Sequence, residues 1–428
     1  MAGSWMAGPA RVRGGLAMSA RARNTDPMIV VPAPTDQALR YFRGGNVIWA
    51  IEQVLGLALP AVLLWTGFSA ALRTFAARFG RGHFYPTLVV YFVLLSTLLF
   101  VIDLPLAYWV QFAREHAYGL STQRLSKWIG DQLKSLGLGM ALGALLLWIP
   151  FWLLAHSPAR WWLWTGGLSL PFFVLTLLIG PIWIAPLFNK FGPMSDPARE
   201  AEVLAVARQA GVEGARVFQV DKSVDTSKVN AYVTGVGRTK RIVLWDTLLA
   251  RLSPRQTDFV VGHELGHYVL GHVVVNVLLS SALTVAGLFG VHRLSGLVLS
   301  RFGHRMGFDR LTDVAALPLL MLLLTLFSLV LTPALLAISR HHEREADRFG
   351  LELTHDNDAA ATAFIALQLQ NLGVPRPGWL FKLFRASHPP IGERVDFINA
   401  YHPWREGSPG RYESYLRRAP AGPSPPGE

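Results

Sequence analysis

Six long apolar runs limit this chain to folds that keep extended hydrophobic helices out of water. They cover residues 47–67, 84–110, 133–155, 161–188, 273–300 and 311–338. At a rise of about 1.5 Å per helical residue, each can cross a hydrocarbon core about 30 Å thick. Pro171, Pro181 and Pro186 interrupt the fourth run, which is expected to bend or break there. A hydrophobic fraction of 51%, a mean hydropathy of +0.33 and only 16% charged residues exclude an ordinary soluble domain of 428 residues. The expected fold class is mainly α: a polytopic transmembrane helical bundle of about six spans, with a small α+β domain built from the polar segments.

The runs divide the chain. A basic, largely disordered leader is expected over 1–46, four transmembrane helices over 47–188 and two more over 273–338. The first half of the polar domain is then 189–272 and the second half 339–405, with a disordered Pro/Gly/Ser tail over 406–428. The net charge is +12, but the cations stand at the ends of the runs rather than in a stripe interleaved with aromatics. That distribution points to the lipid bilayer as a partner and away from nucleic acid. Arg11, Arg13, Arg21, Arg23, Arg40 and Arg43 precede the first run and favour a cytoplasmic start. Four crossings return the chain to that side, so both polar halves are expected in the cytoplasm. Arg73, Arg78, Arg81, Arg301, Arg305 and Arg310 run against this orientation. No cleavable signal peptide is expected in the leader. The absence of cysteine excludes a disulfide framework, a thiolate nucleophile and a Cys-ligated metal.

The first polar segment carries the chemistry. Asp196 and Pro197 predict the start of a helix that ends at Gly211. A strand is expected over 216–220, and a hairpin from the runs 229–234 and 241–245 around Gly235 and Gly237. Ser253, Pro254 and Gln256 form a capping-box signature for the next helix. That helix contains His263-Glu-Leu-Gly-His267. Positions i and i+4 share a helix face, so His263 and His267 can offer two imidazole nitrogens to one metal ion. Glu264 is placed beside them to take a proton from water, the pattern of a zinc hydrolase.

A third ligand is required. Nine residues separate His272 from His263, which on a continuous helix turns His272 about 180° away. The better candidate follows the sixth run, in Ser339-Arg-His-His-Glu-Arg-Glu-Ala-Asp347. Glu343 and Asp347 stand at i and i+4, whereas Glu345 is turned about 200° from Glu343. Glu343 is therefore assigned to zinc, and Asp347 to orienting a ligand imidazole or sharing in proton transfer. A solvated charged helix is the competing reading of these two carboxylates.

Several ordered segments carry a family resemblance: 186–191 (Pro-Leu-Phe-Asn-Lys-Phe), 230–235 (Asn-Ala-Tyr-Val-Thr-Gly), 240–249, 263–267, 339–347, and His388-Pro-Pro390 with Glu393 and Arg394. The chain resembles the integral-membrane zinc metalloendopeptidases related to the type 1 CAAX prenyl protease. The loop residues Glu115, His116, Gly119, Leu120, Ser121, Asp131 and Lys134 share in the likeness. The resemblance implies a gluzincin-type site with one zinc per chain on His263, His267 and Glu343, and Glu264 as general base. It also implies that Asn230 and His388 help to bind substrate and the tetrahedral intermediate.

On this reading the substrate is a peptide or protein, membrane-associated or prenylated. Relatives of the eukaryotic type generally have seven spans, one more at the amino terminus. The Arg-, Ala- and Trp-rich composition suggests a GC-rich bacterium, hence an inner-membrane protein for which housekeeping proteolysis competes with CAAX processing. The alternative class is a membrane transporter or channel with a structural metal site, lined by Glu52, Asp103, His272 and His292. It lacks an internal repeat of spans and leaves His-Glu-x-x-His without a use. Glu264 argues against a catalytically silent scaffold.

Overall fold

A computed structural model describes residues 28–235 and 239–417. The first part of the expected leader, Gly237 and the end of the expected tail lie outside the described residues. The chain enters α1 (Asp36–Trp65), capped by Thr35, whose hydroxyl accepts the Ala38 N–H at 3.1 Å. It then passes through the short α2 (Phe68–Phe79) into α3 (Phe84–Ala117), α4 (Leu125–His156) and α5 (Trp161–Leu187). In α5 a π-helical turn spans Gly180–Ile184, where Pro181 removes a backbone donor, so the fourth span changes geometry without breaking. After the fourth span come α6 (Pro197–Gln209), α7 (Pro254–Val269), α8 (His272–Met306) and α9 (Leu317–Thr354). The last helices are α10 (Asn357–Gln370), α11 (Trp379–Phe384) and α12 (Ile391–Ala400). Six of these, α1, α3, α4, α5, α8 and α9, are long and apolar enough to cross a membrane. Large apolar side chains such as Trp183 and Leu297 stand exposed on them, a surface suited to lipid rather than water.

A small mixed sheet lies in the polar segment. Its strands are β1 (Phe191–Gly192), β2 (Arg216–Val220), β3 (Ala231–Thr234) and β4 (Arg241–Trp245), in the order β1-β2-β4-β3. β2 and β4 run parallel with Arg216 opposite Arg241, while β3 and β4 form the antiparallel hairpin with Ala231 opposite Leu244. β3 is therefore an edge strand. Alternate residues Val217, Ile242 and Leu244 turn inward onto Phe259 and Leu265 of α7, Phe349 of α9 and Val395 of α12. The helix and strand starts follow local chemistry. Asp196 accepts the Ala198 and Arg199 N–H groups ahead of Pro197, and Ser253 with Gln256 forms the complete capping box of α7.

Small residues decide how α7 and α9 meet. A Cβ added at Gly266 would stand 3.0 Å from Phe349 Cβ and 3.2 Å from Ala346 Cα, and one at Gly350 would stand 3.0 Å from the His263 backbone nitrogen. The two helices thus approach backbone to backbone, which brings the His263 face of one against the Glu343 face of the other. Gly350→Val is expected to cost about 1–3 kcal/mol through overpacking. It should lower the melting temperature and weaken zinc binding together; unchanged zinc affinity would show that this contact does not set the ligand geometry.

Three features differ from the expected organisation. α1 begins at Asp36, inside the leader expected to be disordered, because Thr35 caps it. The extended residues before it dock on α12, where Asn399 accepts the Ile29 N–H and donates to the Ile29 carbonyl. Residues 406–417 are likewise held, because Glu352 accepts the Arg411 and Tyr412 N–H groups at 2.9 and 2.6 Å, and Tyr412 is buried. Finally, the helix is continuous across 338–339, with α9 running from the sixth span through Glu343 and Asp347.

Candidate metal centre

α7 and α9 supply the centre. His263 and His267 project from one face of α7 with their Nε2 atoms 3.2 Å apart. Glu343 of α9 closes the triangle, with Oε2 at 3.4 Å from His263 Nε2 and Oε1 at 3.3 Å from His267 Nε2. Two bonds of about 2.05 Å at a tetrahedral angle put ligand atoms about 3.3 Å apart, so this donor set fits zinc. Glu343 Oε2 is buried with no hydrogen-bond partner among the described residues, as expected of an oxygen reserved for a cation. Among the described residues these three form the group of side chains able to hold a metal ion.

The back of His263 is occupied by Asp347, whose Oδ1 accepts from Nδ1 at 2.9 Å. Asp347 is in turn gripped by Arg394 of α12: Nε donates to Oδ2 at 2.8 Å and Nη2 donates to Oδ1. Arg394 Nη2 is also 3.6 Å from Glu343 Oε2, and its guanidinium lies over the Phe364 ring at 3.8 Å. Both Arg394 and Asp347 are buried. Burial works against a charged His263 ring, but the Asp347 and Glu343 carboxylates beside it outweigh that and raise its pKa to about 10. A cation held by His263, His267 and Glu343 would take the place of this proton at Nε2 and balance the buried negative charge. Burial raises the Glu264 carboxyl above its ordinary value, against the pull of His263 and His267.

A cavity of about 670 Å³ opens beside these groups and is lined by His263, Glu264, Asn230, His388 and Arg394. His388 is exposed, with Nε2 3.3 Å from Glu343 Oε1 and Nδ1 2.8 Å from the Ser387 hydroxyl. Asn230, just before β3, is exposed; its Oδ1 accepts the Ala231 N–H at 2.9 Å, and among the described residues it makes no hydrogen bond to the three candidate ligands. Phe42, Phe259, Phe364 and Phe381 give the cavity an apolar wall, and Tyr41 and Phe42 of α1 carry it toward the spans.

With this geometry in view, family models match in two consecutive blocks: the CAAX prenyl protease N-terminal domain of five membrane helices over residues 35–190, and peptidase family M48 over 193–402. The uncharacterized metalloprotease YhfN of Bacillus subtilis (strain 168) is 34% identical over 364 residues, 85% of each chain. The chain belongs to peptidase family M48. This M48 protein is also 31% identical to CAAX prenyl protease 1 of Saccharomyces cerevisiae, over 72% of its own length and 70% of the yeast protein. The crystal structure of S. mikatae Ste24p superposes with a TM-score of 0.72 at 25% identity, covering 85% of this chain and 87% of that one. The protein is therefore an integral membrane metalloprotease with the Ste24p-like fold, and M48 peptidases are zinc enzymes. The transporter reading gives way. Within the block described as five membrane helices, this M48 chain has four helices long and apolar enough to span, plus the short α2.

Three residues around the centre carry more than the sequence reading assigned. Arg394 was visible only within the His-Pro-Pro segment's resemblance, because a lone Arg carries no spacing signal of its own. His272 does not face away: Gly271 adopts φ 72° and breaks the helix, turning His272 back so that its Nδ1 lies 3.0 Å from His267 Nδ1. Glu345 stands outside the donor triangle, and its Oε2 reaches within 3.4 Å of His272 Nε2. The Gly before His272 was the available signal, since Gly at a helix end favours the left-handed conformation.

Proposed function

We propose that this M48 protein is an endopeptidase of the bacterial inner membrane that hydrolyses membrane-associated or lipidated peptides on the cytoplasmic side, using one zinc per chain. The observation that carries the reading is the triangle of His263, His267 and Glu343 donor atoms, 3.2–3.4 Å apart, beside the cavity that Glu264 lines. Zinc bound there supplies Lewis-acid polarisation of the scissile carbonyl and acidification of a water. Glu264 accepts the proton of the attacking water and returns it to the departing amine, a role suited to a carboxyl raised by burial. Asp347 holds His263 in the tautomer that leaves Nε2 free for metal. His388 Nε2 and the Asn230 amide are the donors for negative charge developing on the carbonyl oxygen. The edge strand β3 offers unpaired backbone groups to an extended substrate, aligning the peptide without reading its side chains.

The lipidated part of the proposal rests on the apolar wall of the cavity and on the relatives whose names state CAAX prenyl proteolysis. The cytoplasmic orientation rests on the arginines before the first span and on the four crossings ahead of the centre. The deciding experiment compares two otherwise identical peptides, one farnesylated on cysteine and one not, with the full chain in detergent and products read by mass spectrometry. The expected result is chelator-sensitive cleavage of both, with higher kcat/KM for the farnesylated peptide. Equal kcat/KM would remove lipid recognition, and chelator-insensitive cleavage would remove the zinc mechanism.

A further inference from the structure

The two ligand imidazoles are supported unequally. His263 ends directly on Asp347, but among the described residues His267 has no carboxylate at its Nδ1; there, at 3.0 Å, is the Nδ1 of His272. We propose that His272 and Glu345 form a positioning relay that fixes the tautomer and orientation of His267, an inference that rests on the zinc reading above.

The relay follows from proton bookkeeping. Two ring nitrogens make a hydrogen bond only when one carries hydrogen and the other a lone pair. With Nε2 of His267 given to metal, its Nδ1 carries the hydrogen, so His272 Nδ1 is the acceptor. The single proton of neutral His272 then stands on Nε2. That nitrogen is buried and has no hydrogen-bond partner among the described residues, while Glu345 Oε2 stands 3.4 Å from it. A cation held on Nε2 would strengthen the His267 Nδ1–H as a donor, and His272 and Glu345 are the groups placed to receive that hydrogen bond and pass it on.

The surroundings hold both members in place. His342 stacks on His272 with ring centroids 4.2 Å apart and planes 7° from parallel, fixing the ring plane. The Tyr412 hydroxyl donates to Glu345 Oε1 at 2.9 Å, and Arg411 Nη2 and His341 Nε2 lie 3.4 and 3.5 Å from its carboxylate. Each candidate ligand imidazole thus has an acid behind it: His263 is bonded to Asp347 directly, and His267 faces Glu345 across His272, whose Nε2 stands 3.4 Å from Oε2. The left-handed Gly271 makes the second route available.

The test uses the full chain in detergent, stripped of zinc, with the zinc dissociation constant measured by competition with a chromophoric chelator. His272→Ala is expected to weaken zinc binding about 10- to 100-fold, the range found when an outer partner of a ligand histidine is removed. His272→Asn, whose Oδ1 stands near the lost Nδ1, is expected to recover most of the affinity; His272→Gln, whose carbonyl stands one bond too far, is not. Glu345→Ala should weaken binding in the same direction, and Tyr412→Phe, which leaves His272 untouched, should change it by less than about twofold. The Asn-over-Gln order remains readable even if the Ala variant does not fold. Equal affinities for Asn and Gln, or a folded His272→Ala that binds zinc like the parent, would overturn the relay. The parent and His267→Ala report separately on the site: a parent that binds zinc and loses it in His267→Ala upholds the zinc reading whatever happens at His272, and a parent that binds none ends both.

Discussion

Glu264→Gln is expected to reduce kcat for peptide hydrolysis by about 10²- to 10⁴-fold while leaving zinc content at one per chain. The substitution keeps the shape of the side chain and its place in the cavity wall, and removes only the ability to accept a proton. Glu264 is not a member of the donor triangle, so the metal should remain. The loss corresponds to about 3–5 kcal/mol of transition-state stabilisation. Steady-state kinetics with metal analysis on the same preparation decides it: an unchanged kcat, or a fall in zinc content that matches the fall in rate, would take the proton-acceptor role away from Glu264.

The second large effect is on stability. Arg394→Met leaves the Asp347 carboxylate buried, with its bidentate partner gone and, among the described residues, His263 alone to pair with it. Removing one member of a buried ion pair costs about 3–5 kcal/mol, so the melting temperature of the protein in detergent should fall by about 10 °C. Adding Asp347→Asn removes the stranded charge, so the double variant is expected to melt above Arg394→Met alone. If the double variant melts lower still, Arg394 stabilises the domain through its packing on Phe364 rather than through Asp347.

Much of the centre was legible because its components are local. His263 and His267 share a face through helix periodicity, as do Glu343 and Asp347, and Ser253 with Gln256 marks the helix start in a stretch of four residues. The hairpin was legible for the same reason: β-branched runs flank a glycine-containing turn, and β3 and β4 pair in register. The ordered ends were not. Asn399 holding Ile29 and Glu352 holding Arg411 and Tyr412 are contacts across long sequence distances, and no composition rule announces them. His272 was misdirected by a valid rule applied across a break, since a rotation of 100° per residue holds only while every residue stays helical.

The sequence by itself determined the six spans, the helix bearing two imidazoles and a carboxylate, and a second helix with acids four residues apart. Each is a property of a continuous segment, set by hydropathy and helical period. Tertiary structure alone decided that Gly266 and Gly350 let α7 and α9 close to backbone contact, that Arg394 arrives to neutralise Asp347, and that Gly271 folds His272 back onto His267. The physical reason is that a metal centre is a matter of ångströms between segments far apart in the chain, fixed by packing volume and buried charge, to which local periodicity is blind.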